Sequence, residues 1–264
     1  MTVSELNRLV TSFRKRRDRG GESLEESRAS LTALEAFLPV AEDAIGATVS
    51  AGGVPAEWVR APNVGADVDK ALLYLHGGGY CYCGPGTHRL LAYNLSRATG
   101  MKCLLLDYRL APEHPYPAAV EDAVAAYAWL LAQGYDARRL AVAEDSAGGS
   151  LTLALVAALH RQGRPLPGAL ATLSPWTDLT MNGGTIQGLA EADPLVQPIN
   201  LERCANWYMG DGDRSEPLAS PLLGELAGLP PLLVQVGSEE ILLDDAVRLA
   251  ARAEQAGVTV EYEC

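Results

Sequence analysis

Apolar residues recur along the chain with two different periods. Residues 3–18 place Leu6, Leu9, Val10 and Phe13 on one helical face, and residues 23–38 do the same with Leu24, Leu31, Leu34 and Leu38 behind Ser23 as N-cap. From residue 46 the pattern changes. ATVSAGGVPAEWVRAP reads as a β-hairpin turning at Ala51-Gly52-Gly53. Strand-like runs then alternate with helix-like ones: strands at 71–76, 102–108, 139–144, 168–175 and 230–237, and helices at 88–99, 118–133, 150–163 and 242–257. Residues 258–264 begin one more strand. Continuous apolar strands alternating with helices predict an α/β fold: a mostly parallel sheet with helices on both faces. Residues 178–215 fit no strand–helix unit. They carry one helix-like piece at 200–209 and read as an insertion above the sheet.

Composition narrows this picture modestly. A chain of 264 residues, 48% hydrophobic and 20% charged, fits one large α/β domain or two small ones. The net charge of −12 argues against nucleic acid, because no basic stripe is present to meet phosphates. The basic run Arg14-Lys15-Arg16-Arg17 falls at the end of the first helix, where cations suit the helix dipole. The N-terminus shows no apolar signal core, and no run of about 18 apolar residues occurs, so no stable membrane insertion and a cytoplasmic location are expected. The cysteines are Cys81, Cys83, Cys103, Cys204 and Cys264. Their odd number and the lack of a CxxC pair suggest free thiols, and Cys81-Tyr82-Cys83 is too tight for an ordinary zinc pair. No metal cluster, dinucleotide fingerprint or phosphate loop is seen, so no metal and no cofactor are expected.

Three stretches carry candidate chemistry. In LAVAEDSAGGSL (140–151), Ser146 lies between an apolar strand and an amphipathic helix, the setting in which a sharp bend exposes a nucleophile over a helix N-terminus. His76-Gly77-Gly78-Gly79-Tyr80 follows a buried strand. Its glycines leave N–H groups free to stabilise an oxyanion, whereas His76 reads as a scaffold. The third stretch is 237–245, with Glu239, Glu240, Asp244 and Asp245. A carboxylate after a strand and later in the chain than the serine fits the acid of a triad, but all four also suit a helix N-terminus.

Together, HGGGY (76–80), DYRLAPEHPYPAAVED (107–122), DSAGG (145–149), SPWTDL (174–179) and VGSEEILLDDA (236–246) closely resemble the bacterial hormone-sensitive-lipase-like esterases, family IV. The resemblance implies an α/β-hydrolase core over residues 46–264, under a helical cap made of residues 1–45 and the 178–215 insertion. It implies a carboxylic-ester hydrolase acting on small short-chain esters through an acyl-enzyme. It makes Ser146 the nucleophile, the N–H groups of Gly78, Gly79 and Ala147 the oxyanion hole, and Glu240 the acid, with Glu239 second. Asp107, Tyr108, His114 and Pro115 match a segment that is structural in the family. Relatives often form homodimers.

Two departures stand out. Glu144 occupies the small-residue position of the bend, where a bulky charge is expected to crowd the turn, point into the site or repel an oxyanion, and burial without a partner is costly. The family's catalytic histidine follows the last strand, and none of His76, His88, His114 and His160 matches it. The last strand and helix are accordingly expected to be incomplete, with the histidine among residues beyond Cys264. Without a base the serine is a weak nucleophile. The alternative reading is an impaired pseudo-hydrolase that binds a small ligand, as plant gibberellin receptors of similar fold do.

Overall fold

The computed structural model describes residues 7–8, 10–15, 23–35, 38, 40 and 44–264. Residues 7–8 and 10–15 are helical, within the first helix expected from the sequence; the rest of that expectation, and Arg16 and Arg17, lie outside the described residues. The helices are α1 (Leu24–Leu34), α2 (Pro85–Thr99), α3 (Ala118–Ala132), α4 (Ala147–Arg161), α5 (Thr185–Gly188), α6 (Pro198–Met209) and α7 (Leu243–Gln255). The strands are β1 (Ile45–Ala51), β2 (Val54–Val59), β3 (Ala71–Leu75), β4 (Lys102–Leu106), β5 (Leu140–Asp145), β6 (Ala169–Leu173), β7 (Leu232–Gln235) and β8 (Val260–Glu263).

The strands form one sheet in the order β1-β2-β4-β3-β5-β6-β7-β8, antiparallel at β1/β2 and β2/β4 and parallel elsewhere. The expected hairpin is β1–β2, turning at Gly52 and Gly53, both at positive φ. Alternation along β3 shows why its sequence is apolar throughout: Leu73 and Leu75 join one hydrophobic cluster, Leu72 and Tyr74 the other. Both faces are therefore covered, and the sheet is buried from both sides. This is the α/β-hydrolase architecture.

Most elements fall within a few residues of their sequence-based positions. The helices after β3 and β5 begin early: α2 at Pro85 rather than at 88, and α4 at Ala147 rather than at 150. The first turn of α4 contains two glycines, poor helix formers, and packing overrides that propensity. A Cβ on Gly148 would lie 2.1 Å from the Leu75 carbonyl oxygen, and one on Gly149 2.5 Å from Pro175 Cβ. The helix start is pressed against two neighbouring strand ends, where only glycine fits.

Side-chain caps and carboxylates fix the segments around the sheet. Ser23 caps α1 in a capping box: its hydroxyl accepts from Glu26 N–H at 3.2 Å, and the Glu26 carboxylate accepts from Ser23 N–H at 2.8 Å. Arg28 of α1 donates to the Cys81 and Ala111 carbonyls and to Glu113, tying α1 to the Gly-rich loop. In the 178–215 segment, Asp193 accepts from Leu195 and Val196 N–H and from Ile241 N–H, which joins this segment to the loop after β7. Asp245 of α7 accepts from Thr177 and Asp178 N–H at 2.7 and 3.0 Å. Burial outweighs these bonds and pushes its carboxyl up to about 6. Asp245→Ala strands two buried N–H groups, so an unfolding loss of about 3 kcal/mol is expected in urea titration, with Asp245→Asn losing distinctly less. No helix among the described residues is long and apolar enough to cross a membrane.

Candidate active site

The candidate residues sit at the C-terminal ends of β3, β5, β6 and β7, which is where open parallel sheets place their sites. At the end of β5 the chain reverses through Ser146, whose φ of 53° and ψ of −115° are outside the ordinary regions for an L-residue. Such a conformation costs about 1–3 kcal/mol and survives only when its surroundings enforce it. Here three backbone hydrogen bonds do so. Ser146 N–H donates to the Leu173 carbonyl at 3.0 Å, and the Ser146 carbonyl accepts from Trp176 N–H at 2.7 Å and Gly149 N–H at 3.0 Å.

Asp145 locks the bend to the Gly-rich loop. Its carboxylate accepts from the Tyr74 hydroxyl and the Gly77 N–H, both at 2.8 Å, and meets His88 Nε2 at 3.2 Å. Burial works to raise the Asp145 carboxyl, but hydrogen bonds from His88, Tyr74 and Gly77 win and hold it below the ordinary range. The same pairing outweighs burial at His88 and raises that imidazole. Gly77 is required here, since a Cβ would stand 2.2 Å from Asp145 Oδ2.

The loop 76–80 runs beside the bend. Gly78 and Gly79 take φ of 113° and 60°, and a Cβ on Gly78 would lie 2.4 Å from the Tyr82 carbonyl oxygen. Among the described residues no acceptor takes the N–H groups of Gly78, Gly79 or Ala147. His76 is fully buried, stacked on Tyr108 at 4.2 Å, with Nδ1 2.7 Å from the Gly77 carbonyl oxygen. Burial, then the neighbouring His88, lowers its imidazole to about 4, so it is neutral and serves as packing. Tyr108 donates to the His76 carbonyl at 2.7 Å, which gives the 107–115 segment its structural part.

Glu240 and Glu239 have different surroundings. Glu240 is half-buried, and its Oε1 accepts from the Ser174 hydroxyl at 2.9 Å and the Gly237 N–H at 2.8 Å; Glu239 is exposed. Ser174, itself at φ 50°, directly follows Leu173, whose carbonyl holds Ser146 N–H. The Glu240 carboxylate is thus tied through Ser174 to the strand that pins the serine. An open cavity of roughly 590 Å³ lies alongside, lined by Ser174, Gln235, Gly237, Glu263 and neighbouring residues. Asp244 is occupied elsewhere, accepting from Gly184 N–H at 2.7 Å.

Residues 72–264 match a family with the α/β-hydrolase fold. The chain is 46% identical over 218 residues to an acetyl-hydrolase of Streptomyces hygroscopicus, covering 83% of this chain and 72% of that one. It is 38% identical over 212 residues to an esterase of Acinetobacter venetianus, covering 80% and 69%. A solved esterase of the bacterial hormone-sensitive lipase family superimposes with a TM-score of 0.94 at 44% identity, over 100% of this chain and 88% of that one. The chain belongs to the hormone-sensitive-lipase-like esterase family of α/β-hydrolases.

Two features that stand out in the sequence take definite places in this fold. Glu144, at the end of β5, neither points to solvent nor joins the hydrogen-bonded bend. It is fully buried beneath the start of α4, its Oε1 3.0 Å from where a Gly149 Cβ would stand, and its carboxyl makes no full hydrogen bond, the Leu173 backbone being the one group that favours its charge. Burial, then the adjacent Asp145 charge, pushes its carboxyl well above the usual range, so it is held as the neutral acid. The histidines are the second feature. His76 and His88 are packed as described, His114 is exposed, and His160 lies against Gly228. None is hydrogen-bonded to Ser146 or Glu240. Sequence reading missed three contributors: Ser174 as a holder of Glu240, Asp193 as the tie between the 178–215 segment and the Glu240 loop, and the His88–Asp145 pair. Only the Ser174-Pro175-Trp176 motif hinted at the first.

Proposed function

We propose that this protein hydrolyses small short-chain carboxylic esters through an acyl-enzyme on Ser146, with an imidazole that the four histidines of this chain do not supply. The observation that carries this reading is the enforced left-handed φ of Ser146 at the end of β5, beside the uncommitted N–H groups of Gly78, Gly79 and Ala147. Strain of this kind persists where it presents a reacting group. In the proposed reaction Ser146 Oγ attacks the ester carbonyl carbon, and the three N–H groups stabilise the oxyanion. The alcohol leaves, and water releases the acid from the acyl-serine. Glu240 is the acid of the triad, its second oxygen left open for an imidazole. That imidazole is none of the four in this chain. Preference for short acyl groups is supported by the relative named as an acetyl-hydrolase.

The test is stoichiometric labelling with a p-nitrophenyl alkylphosphonate followed by peptide mapping, beside hydrolysis of p-nitrophenyl acetate and butyrate. A single adduct on Ser146 with turnover of the short esters is expected. A second reading, ligand binding without turnover, is favoured by the buried acid at position 144. Binding of an ester with neither label nor turnover would select it.

A further inference from the structure

Beyond the elements of ester hydrolysis, two buried thiols meet where the Gly-rich loop touches α6. Cys81 directly follows the loop and is 0% exposed; Cys204, in the middle of α6, is 3% exposed. Cys81 Sγ lies 4.0 Å from the Cys204 carbonyl oxygen across a sequence separation of 123, and each thiol shifts the other's ionisation, Cys81 upward and Cys204 downward. Cys204 Sγ also fills the space above Gly79, where a Cβ would come within 2.6 Å of it. One turn further along α6, Tyr208 stacks on Tyr80 with ring centroids 3.7 Å apart and planes 2° from parallel. The sulfurs therefore lie inside a contact that already aligns the loop with α6.

The other cysteines are placed differently. Cys103 sits in the opposite hydrophobic cluster with its thiol 3.3 Å from the Ala92 carbonyl oxygen, Cys83 is half-buried, and Cys264 is exposed.

We propose that Cys81 and Cys204 form a modification site, an oxidisable pair whose disulfide ties the loop at 76–80 to α6. The oxidant class is a low-molecular-weight disulfide. In the first step the Cys204 thiolate attacks one sulfur of that disulfide, forming a mixed disulfide and releasing one small thiolate, which takes up a proton. The Cys81 thiolate then attacks the Cys204 sulfur, forming the protein disulfide and releasing the second small thiol. Two protein thiols are oxidised, one small disulfide is reduced to two thiols, and the two protein protons leave with them. Cys204 leads because the neighbouring Cys81 thiol favours its thiolate, whereas Cys204, then burial, keeps the Cys81 thiol well above its ordinary range. Covalent bonding draws the sulfurs closer than two thiols in contact and shifts Gly79 with them. The further effect on oxyanion binding rests on the function proposed above; the cross-link itself does not.

The experiment exposes the full chain to oxidised glutathione, alkylates the remaining thiols under denaturing conditions and maps the peptides. A Cys81–Cys204 linked peptide is expected, lost in Cys204→Ser and reversed by dithiothreitol. The oxidised form should melt roughly 5–15 °C higher, as closure of so long a loop implies. Hydrolysis of p-nitrophenyl butyrate should fall about tenfold or more and recover on reduction, because a shift near 1 Å at oxyanion donors is costly. Cys204→Ser should not respond. Glutathione adducts confined to Cys83 and Cys264, with Cys81 and Cys204 both recovered alkylated, overturn the site. A linked peptide with an unchanged hydrolysis rate overturns its control of the loop. Where neither state hydrolyses the ester, the linked peptide and the melting shift alone decide the cross-link, independently of the esterase reading.

Discussion

In a form of the protein that also carries the triad imidazole, Ser146→Ala is expected to lower kcat for p-nitrophenyl butyrate by at least about 10³-fold, toward the residual rate that oxyanion donors and binding alone supply. The reason is chemical rather than structural. Ser146 is half-buried and held by backbone bonds to Leu173, Trp176 and Gly149 that alanine keeps, so the bend should survive the loss of the hydroxyl. KM should change little, and the phosphonate label should disappear. The strain offers an internal control. Glycine accepts positive φ readily, so Ser146→Gly should be as inactive as alanine yet more stable by about 1 kcal/mol. Steady-state kinetics and urea unfolding on the two variants check both statements. Equal hydrolysis by wild type and Ser146→Ala sinks the proposed mechanism.

Glu144→Met is expected to stabilise the protein, and increasingly so as pH rises. Methionine is close in volume and removes two carboxyl oxygens that make no full hydrogen bond in a fully buried position. The pH dependence follows from the sign of the shift. The folded-state pKa of Glu144 lies well above its ordinary 4.5, so the folded chain keeps a proton that the unfolded chain releases. Stability is therefore unaffected below the unfolded pKa and falls as pH rises above it, by about 1.4 kcal/mol per pH unit until the folded pKa is reached. The advantage of Glu144→Met should grow as pH rises from 4 toward 7. Urea titrations of both proteins across that range decide it. A pH-independent difference would mean that the carboxyl at 144 is ionised in the folded state and has found a partner.

Much of the architecture was legible in the sequence because it rests on local pattern. The apolar runs at 71–76, 102–108 and 139–144 became β3, β4 and β5, buried on both faces, and the Ala51-Gly52-Gly53 turn became the β1–β2 hairpin. Ser23 with Glu26 three residues on spelled out the capping box of α1. At the site, order and motif placed Ser146, Gly78, Gly79, Ala147 and Glu240 on strand ends that the parallel sheet brings together.

What the sequence left open depended on contacts between distant segments. Glu239 and Glu240 are indistinguishable by pattern; only the fold turns Glu240 toward Ser174 and Gly237 N–H. The early start of α4 contradicts glycine propensity and follows from the closeness of Leu75 and Pro175. The destination of Glu144 was likewise undecided, since an acid at a bend fits solvent, the site or the interior equally well in sequence. Packing under α4 buried it. Cys81 and Cys204, separated by 123 positions, have no sequence relation at all; they meet because α6 packs across the Gly-rich loop. The sequence by itself determined the elements and the chemical identity of the strand-end residues, because periodicity and turn chemistry act over a few residues. Tertiary structure alone decided which carboxylates are held, buried or free, because burial and hydrogen-bond partners come from segments far apart in the chain.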